Sequence, residues 1–368
     1  MVPNLRFTNN QLKDFKIVDI CKLKQGNQYD LKQQFTEEKS DLKRFIRIID
    51  YTQKTNDIRY VYSNGSENYV DCTDVVVVRY GASAGYVGRG INGIIANNLF
   101  TIRPINSALL NKSYLYHYLN APVIQKQLNN TQSSGMPALN FQTINNLHIL
   151  LPEYQEQRQI AVFLDKIDER IQTQIKIIND YKILKNHIIK SFIKQNGTSY
   201  LLSEIAELGR GRVINSAEIS KQKNPIYPVY SSQTSNNGIM GYLDNYDYEG
   251  EYITWTTDGA NAGTVYYRNG KFNCTNVCGI LKIKNGYDAY YISNILNCYT
   301  KKYVSTNLAN PKLMNNVMAN IKINLPSIEQ QKHSSKILQS IEYRVEIEED
   351  IKLNLVKQKA FLLKNMFI

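Results

Sequence analysis

Leu147-His148-Ile149-Leu150-Leu151-Pro152 returns later in the chain as Ile321-Lys322-Ile323-Asn324-Leu325-Pro326, and this recurrence decides how the chain is organised. The offset is 174 residues, from Leu151 to Leu325, and it holds on both sides of the motif. Downstream, Gln157-Arg158 falls on Gln331-Lys332, and Leu164, Ile167, Arg170 and Ile171 fall on Leu338, Ile341, Arg344 and Val345. Upstream, Pro137-Ala138-Leu139 falls on Pro311-Lys312-Leu313. Gly81-Ala82-Ser83-Ala84-Gly85-Tyr86-Val87 returns as Gly259-Ala260-Asn261-Ala262-Gly263-Thr264-Val265. Asp19-Ile20-Cys21-Lys22-Leu23 with Gly26 parallels Glu204-Ile205-Ala206-Glu207-Leu208 with Gly211. One order of landmarks kept in two halves means a tandem duplication of a globular unit followed by a tail.

Each tail reads as a helix. From Ile160 a spacing of four and three carries Ile160, Leu164, Ile167, Ile171, Gln174, Ile178, Tyr181, Lys185, Ile188 and Phe192, a mostly apolar stripe. The second tail keeps that phase with Leu338, Ile341, Val345, Leu355, Leu362 and Met366, but places Glu348, Lys352 and Lys359 on it too. Pro152 and Pro326 mark the starts, and Ser327 with Gln330 reads as a capping box. Asn196-Gly197 ends the first helix, since either residue tolerates a left-handed cap. A helix over 153–194 would span roughly 60 Å. So narrow a stripe wants a partner, and the duplication supplies one. Two such units around a pseudo-twofold axis would set the helices antiparallel as a coiled coil. The expected helix–helix interface is Ile160, Leu164, Ile167, Ile171, Ile178, Tyr181 and Ile188 against Leu338, Ile341, Val345, Leu355 and Leu362. The alternative is a helix lying on its own globular unit.

The expected fold class is therefore α+β. Two strand-rich, mixed α/β units at 1–152 and 198–326 alternate with spacer helices at 153–197 and 327–368. Val75 to Arg79 is a β-branched run. Val265 to Phe272, with Asn269-Gly270 at its centre, reads as a hairpin. Short helices are expected around Leu109 to Leu128 and Ala289 to Tyr303.

With 368 residues, 43% of them hydrophobic and 11% aromatic, the chain can bury more than one core. The net charge of +12 points to a polyanionic partner. It divides as +6 on 1–152, +2 on 153–197, +3 on 198–326 and +1 on 327–368, so the excess sits on the globular units. The first residues carry no secretory leader pattern, and no apolar run approaches a membrane span, so a soluble bacterial cytoplasmic protein is expected. Cys21, Cys72, Cys274, Cys278 and Cys298 lack framework spacing and have no histidine close by in sequence, which favours free thiols and no metal.

Residues around the repeated glycine motif suit contact with bases and phosphates. Arg79, Tyr80, Ser83, Arg89, Asn97 and Asn98 are candidate base readers in the first unit. Ser231, Gln233, Thr234, Asn236, Asn237, Thr257, Asn261 and Arg268 are candidates in the second. Arginine reads guanine bidentately, and Asn or Gln reads adenine, in the major groove. Lys22, Lys24, Arg210, Arg212 and Lys271 are candidates for phosphate. The same Ser/Asn/Gly runs could be plain loops, and the motif glycines plain turns. Catalytic signals are weak. Asn224-Pro225-Ile226-Tyr227 nears the Asn-Pro-Pro-Tyr motif of adenine methyltransferases, but has Ile226 in place of the second proline and lacks a cofactor loop. Asp30, Glu37 and Lys39 look like a solvated loop rather than a nuclease triad, and no Walker A pattern occurs.

Over nearly its whole length the chain resembles the specificity subunits of type I restriction–modification systems. The features that carry this are the tandem architecture, the Leu-Pro-x5-Arg/Lys helix starts at Leu151-Pro152 with Arg158 and Leu325-Pro326 with Lys332, and the repeated Gly-Ala-x-Ala-Gly. Pro228 to Gly238 through Thr256 to Gly263 is similar to one recurrent type of second target-recognition domain. The resemblance implies that each globular unit reads one half of an asymmetric, bipartite double-stranded DNA site, with the helices setting the gap. It implies two methyltransferase subunits carrying S-adenosylmethionine, and restriction subunits using ATP and Mg, with no catalytic residue in this chain. A coiled-coil protein-binding adaptor and a DNA adenine-modifying enzyme are the other readings.

Overall fold

The computed structural model describes residues 5–7, 11–53, 55–129, 137–305 and 310–367. It comprises two compact units, residues 1–176 with 349–368 and residues 177–348. The divisions fall inside the two long helices, Tyr154–Ile193 and Ile328–Met366, so each unit takes a stretch of both. Among the described residues no helix is long and apolar enough to cross a membrane.

The repeated motif is a strand in each unit, placed just before its long helix. His148–Leu151 pairs antiparallel with Lys13–Lys16, and Lys322–Leu325 pairs with Thr198–Leu201. Proline then ends the strand because it lacks the N–H that a ladder needs. The capping box forms: Ser327 N–H donates to Gln330 Oε1 at 3.2 Å, and Gln330 N–H to Ser327 Oγ at 3.4 Å. The first helix ends differently from expectation. Neither Asn196 nor Gly197 is left-handed. A Cβ on Gly197 would lie 2.4 Å from the Leu325 carbonyl oxygen, so glycine is there for close approach.

In the first unit, strands Cys21–Gln25, Leu99–Pro104, Val75–Val78 and Val87–Gly88 lie side by side in that order. A second sheet runs Arg59–Tyr62, Leu42–Ile46, Gly93–Ile95, Tyr69–Val70, its second and third strands parallel. In the second unit six strands follow the order Ala206–Arg210, Cys278–Ile283, Tyr248–Thr256, Val265–Cys274, Tyr227–Tyr230, Ile239–Leu243. Its parallel pair sets Tyr230 opposite Cys274, where the first unit sets Ile46 opposite Ile95. All four valines of Val75–Val78 are buried, as an inner strand covered on both faces demands.

Two local expectations are corrected. Asn269-Gly270 makes no hairpin turn. Val265–Cys274 runs through it as one strand, and Gly270 sits opposite Gly250 with φ of 103° and 104° respectively, a left-handed backbone that glycine adopts freely. The helix expected over Leu109 to Leu128 is two helices, Lys112–Leu119 and Pro122–Asn129, because Pro122 cannot donate to a preceding turn. Ala289–Tyr299 is helical and passes into a 3-10 turn, Thr300–Tyr303.

In the first unit Ile160, Ala161 and Leu164 share a core with Tyr114, Leu115, Ile149 and Leu151, and also with Leu363, Met366 and Phe367. Lys359 pairs with Asp168 further along, so the two helical stretches run antiparallel here. In the second unit Lys185 pairs with Glu342, and Ile189 and Leu338 lie in one core, again antiparallel. Within each unit, a stretch of both helices thus packs on the globular part and beside one another. Of the expected interface residues beyond these cores, Ile178 and Leu355 are buried, and Ile167, Ile171, Tyr181, Ile188, Ile341, Val345 and Leu362 are half-buried. The charges on the stripe are paired: Glu348 with Arg344 at 2.8 Å, Lys352 with Glu349, Lys359 with Asp168.

Leu164 and Leu338 occupy equivalent repeat positions, and both are fully buried. Leu164→Ala is expected to destabilise the first unit, and Leu338→Ala the second, each by about 2–5 kcal/mol. Hydrogen exchange read by mass spectrometry checks this; equal loss of protection in both units for either variant would contradict separate cores.

Candidate nucleic-acid interface

Gly26 and Gly211 mark the same corner in the two units. The N–H of Gly26 donates to the Leu99 carbonyl at 2.9 Å, and that of Gly211 to the Cys278 carbonyl at 3.2 Å. A Cβ would lie 2.2 Å from the Ala96 carbonyl oxygen at the first glycine and 2.1 Å from that of Cys274 at the second. Backbone bonds match outward from this corner. Arg79 N–H donates to Asn98 O at 2.9 Å, and Thr257 N–H to Val277 O at 3.0 Å. Leu139 N–H donates to Arg79 O at 2.8 Å, and Leu313 N–H to Thr257 O at 2.9 Å. The Gly-Ala-x-Ala-Gly motif is a turn in both units, with φ of 88° and 89° at Gly81 and Gly85 and 93° and 80° at Gly259 and Gly263. Its glycines serve the fold.

The side chains carried by this shared corner differ. In the first unit the Arg79 guanidinium lies over the Phe141 ring at 4.3 Å and the Tyr80 ring at 4.8 Å, and donates to Gln25 Oε1 at 2.6 Å. Gln25 in turn donates to Asn97 O at 2.6 Å, and exposed Asn97 donates to Gln28 Oε1 at 3.2 Å. In the second unit Arg210 stands where the first has Gln25, Thr257 where it has Arg79, and Asp258 where it has Tyr80. Asp258 lies between Arg210 at 4.0 Å and Lys312 at 3.6 Å and accepts from Thr257 Oγ1 at 2.6 Å. One corner offers a cation backed by amides, the other a carboxylate flanked by cations. Gln25, Asp258 and Lys312 were not among the candidate residues expected from the sequence, although Asp258 lies in the segment Thr256 to Asn261 that was. Aligning Gly26 on Gly211 residue by residue would have exposed the first as the counterpart of Arg210.

The remaining candidates divide by what they touch. Asn236 and Asn237 are exposed, and Asn261 donates to Thr234 Oγ1 at 3.1 Å, tying two loops of the second unit together. Ser231 and Ser83 are half-buried, and Asn98 has its Oδ1 buried without a partner. Gln233 turns inward to the Ile239 carbonyl, and Thr257 is buried, bonded to Asp258 and to Val277 O. Arg268 is only 4% exposed, and burial pulls its pKa down. Among the phosphate candidates Lys22 is exposed, while Lys24 donates to the carbonyls of Ser66 and Glu67 at 3.3 and 3.1 Å. Arg212 is bound by Glu218 at 2.6 Å and Asp247 at 3.0 Å, and Lys271 lies 3.7 Å from Glu249 and over Tyr246. Asn224 and its followers lead on the surface into Tyr227–Tyr230, the Asn224 N–H held by Asp244 at 2.9 Å. Asp30, Glu37 and Lys39 are exposed.

Arg89 faces the first long helix. Its guanidinium lies 3.9 Å over Tyr116 and donates to Ser113 Oγ at 2.6 Å and Asp165 Oδ1 at 2.5 Å. Asp165 also bonds His117 Nε2 at 2.7 Å, and Asp168 is paired with Lys359. The ligand atoms of His117, Asp165 and Asp168 could together hold a cation, but the guanidinium and the ammonium already supply positive charge there. Burial alone would raise the Asp165 pKa, but hydrogen bonds from His117, Arg89 and Ser113 outweigh it and hold the carboxyl well below its usual range. Burial of His117 lowers its pKa. The cluster fastens the globular part of this unit to its helix.

Residues 9–180 and 196–358 each match the type I restriction modification DNA specificity domain, and the chain belongs to that family. A Mycoplasma pneumoniae protein described as a type I specificity subunit is 34% identical over 226 residues, 59% of this chain and 82% of that relative. The specificity subunit of the type I restriction enzyme MpnII from the same organism is 42% identical over 146 residues, 39% of this chain and 43% of its own length. The fold is also that of the type I S subunit of M. genitalium, with a TM-score of 0.66 at 17% identity, covering 100% of this chain and 99% of that one. A structure describing assembly and conformational transition of a type I system gives a TM-score of 0.56 at 13% identity, covering 97% of each chain.

Asp165→Ala removes the shared acceptor of Arg89, His117 and Ser113 and is expected to cost about 2 kcal/mol in the first unit. A carboxyl held low when folded stabilises above its ordinary value of 3.8 and loses that contribution as pH falls towards its folded value. The stability gap between native and variant chains should therefore narrow below that pH. Denaturant titration across the acid range checks this, and a constant gap would contradict the assignment.

Proposed function

We propose that this chain reads a bipartite, asymmetric double-stranded DNA site, one half per globular unit, as the non-catalytic specificity subunit of a methyltransferase and restriction complex. The observation that carries this reading is the corner built twice on one backbone plan with different side chains at its equivalent positions. A duplication that served only to bind a repeated protein surface would keep like side chains in like places. Arg79 with Gln25 is suited to a guanine edge, whereas Asp258 is suited to an amino group such as cytosine N4. Asn97 and Asn261 add amide readers, and Lys22, Arg210 and Lys312 add positive charge near the backbone. Arg89, Thr257, Gln233 and Arg268 are committed to contacts within their own units and leave the set of direct readers.

The reading assigns chemistry to partners. Two methyltransferase subunits would bring S-adenosylmethionine and modify a flipped adenine, and restriction subunits would bring ATP and Mg. The two long helices would fix the gap between half-sites. Bacterial cytoplasm is the compartment where such a complex meets DNA.

Exchange of residues 198–326 for the corresponding unit of a relative tests the reading in a reconstituted methyltransferase complex. The specified bases of one half-site should change while the other half and the gap stay the same, as read from the methylated sequences. A change in both halves, or in neither, would overturn it.

A further inference from the structure

The loop joining strands Tyr227–Tyr230 and Ile239–Leu243 contains three successive left-handed residues: Asn236 (φ 48°, ψ 43°), Asn237 (φ 52°, ψ 28°) and Gly238 (φ 82°). A left-handed turn is unfavourable for side chains with a Cβ, and asparagine tolerates it better than most. Both asparagine side chains are nonetheless exposed. The loop is closed beneath them by Ser231 N–H on Gly238 O at 2.9 Å and by Gln233 on the Ile239 carbonyl. Thr234 joins it to Asn261 of the repeated glycine motif.

Arg268 lies under this turn. Its guanidinium is 3.5 Å from the Tyr230 ring centroid and 4.4 Å from that of Tyr266. Nε donates to Thr254 Oγ1 at 3.2 Å, and one Nη donates to the Asn237 carbonyl at 2.9 Å. A Cβ on Gly238 would lie 3.1 Å from that same nitrogen. Among the described residues no carboxylate pairs with this buried cation. A charge taken from water and given two aromatic faces and the carbonyl of a left-handed residue is committed to holding that residue. After the matching parallel strand, the first unit has instead the short helix Ile48–Thr52, so the turn belongs to the second unit alone.

We propose that Asn236 and Asn237 are specificity-determining residues of the second unit, presented to adenine edges by the left-handed turn, and that Arg268 is the positioning residue that holds the turn. This rests on the reading of the second unit as a DNA reader. The side-chain amide of asparagine both donates and accepts, which matches N7 and N6 of adenine in the major groove.

Asn236→Gly with Asn237→Gly removes the amides and keeps a backbone that glycine adopts freely. In a complex reconstituted with its methyltransferase, the melting temperature should hold. Discrimination at one or two adenines of the second half-site should fall about tenfold to a hundredfold, with the first half-site unchanged. Asn236→Asp with Asn237→Asp keeps shape while replacing donors with acceptors, and should disturb the same positions if the glycine pair folds poorly. Arg268→Lys should weaken the same positions in the native background and add nothing in the glycine background. A purely structural Arg268 would add a further loss there. Unaltered second-half discrimination in the folded glycine and aspartate variants would overturn the proposal. If exchange of the whole second unit still changed that half-site, the failure would lie with these residues and not with the unit's role.

Discussion

The constraint on which the rest depends is the close approach of backbone at Gly26 and Gly211. At each, the chain passes a neighbouring carbonyl so tightly that a Cβ would stand 2.2 Å or 2.1 Å from its oxygen. From that contact the ends of Cys21–Gln25 and Ala206–Arg210 are fixed against the turns at Ala96–Leu99 and Thr275–Cys278. The segments following Val78 and Thr256 are fixed in turn by their bonds to Asn98 and Val277. Backbone bonds do this in both units, so the side chains at Gln25 and Tyr80 need not match those of Arg210 and Asp258 at the equivalent positions. The two units therefore differ at these positions while keeping one backbone plan.

The long helices meet a different demand. A stripe rich in Ile and Leu on a 40-residue helix cannot be left in water, and it is covered in each unit both by that unit's globular part and by the other helix. The polar positions on the second stripe are tolerated because each charge finds a partner. The Arg89–Asp165 cluster adds direction to this apolar packing, since a guanidinium stacked on Tyr116 and bonded to Asp165 admits few orientations.

Much of this was legible in the sequence, for identifiable reasons. The duplication, the two helices and the capping box at Ser327 rest on period and local chemistry, which hold wherever the segment is placed. The hairpin expected at Asn269-Gly270 failed because Gly270 pairs within a continuous ladder with Gly250, a partner twenty residues away that no local pattern announces. Gly197 likewise answers to Leu325 and not to its own helix end. Individual site residues were the least legible. Arg89 and Arg268 were expected to read bases and Arg212 to meet phosphate, and only tertiary contacts show one bound to a helix, one held between tyrosines and one bound by carboxylates.

The central claim is that one fold built twice reads two different half-sites. Mapping methylated adenines across a genome in cells carrying this chain with the methyltransferase subunits proposed for it tests it most directly. The account predicts a single motif of two unlike specified halves separated by an unspecified gap of constant length. A continuous motif, or two identical halves, would contradict it.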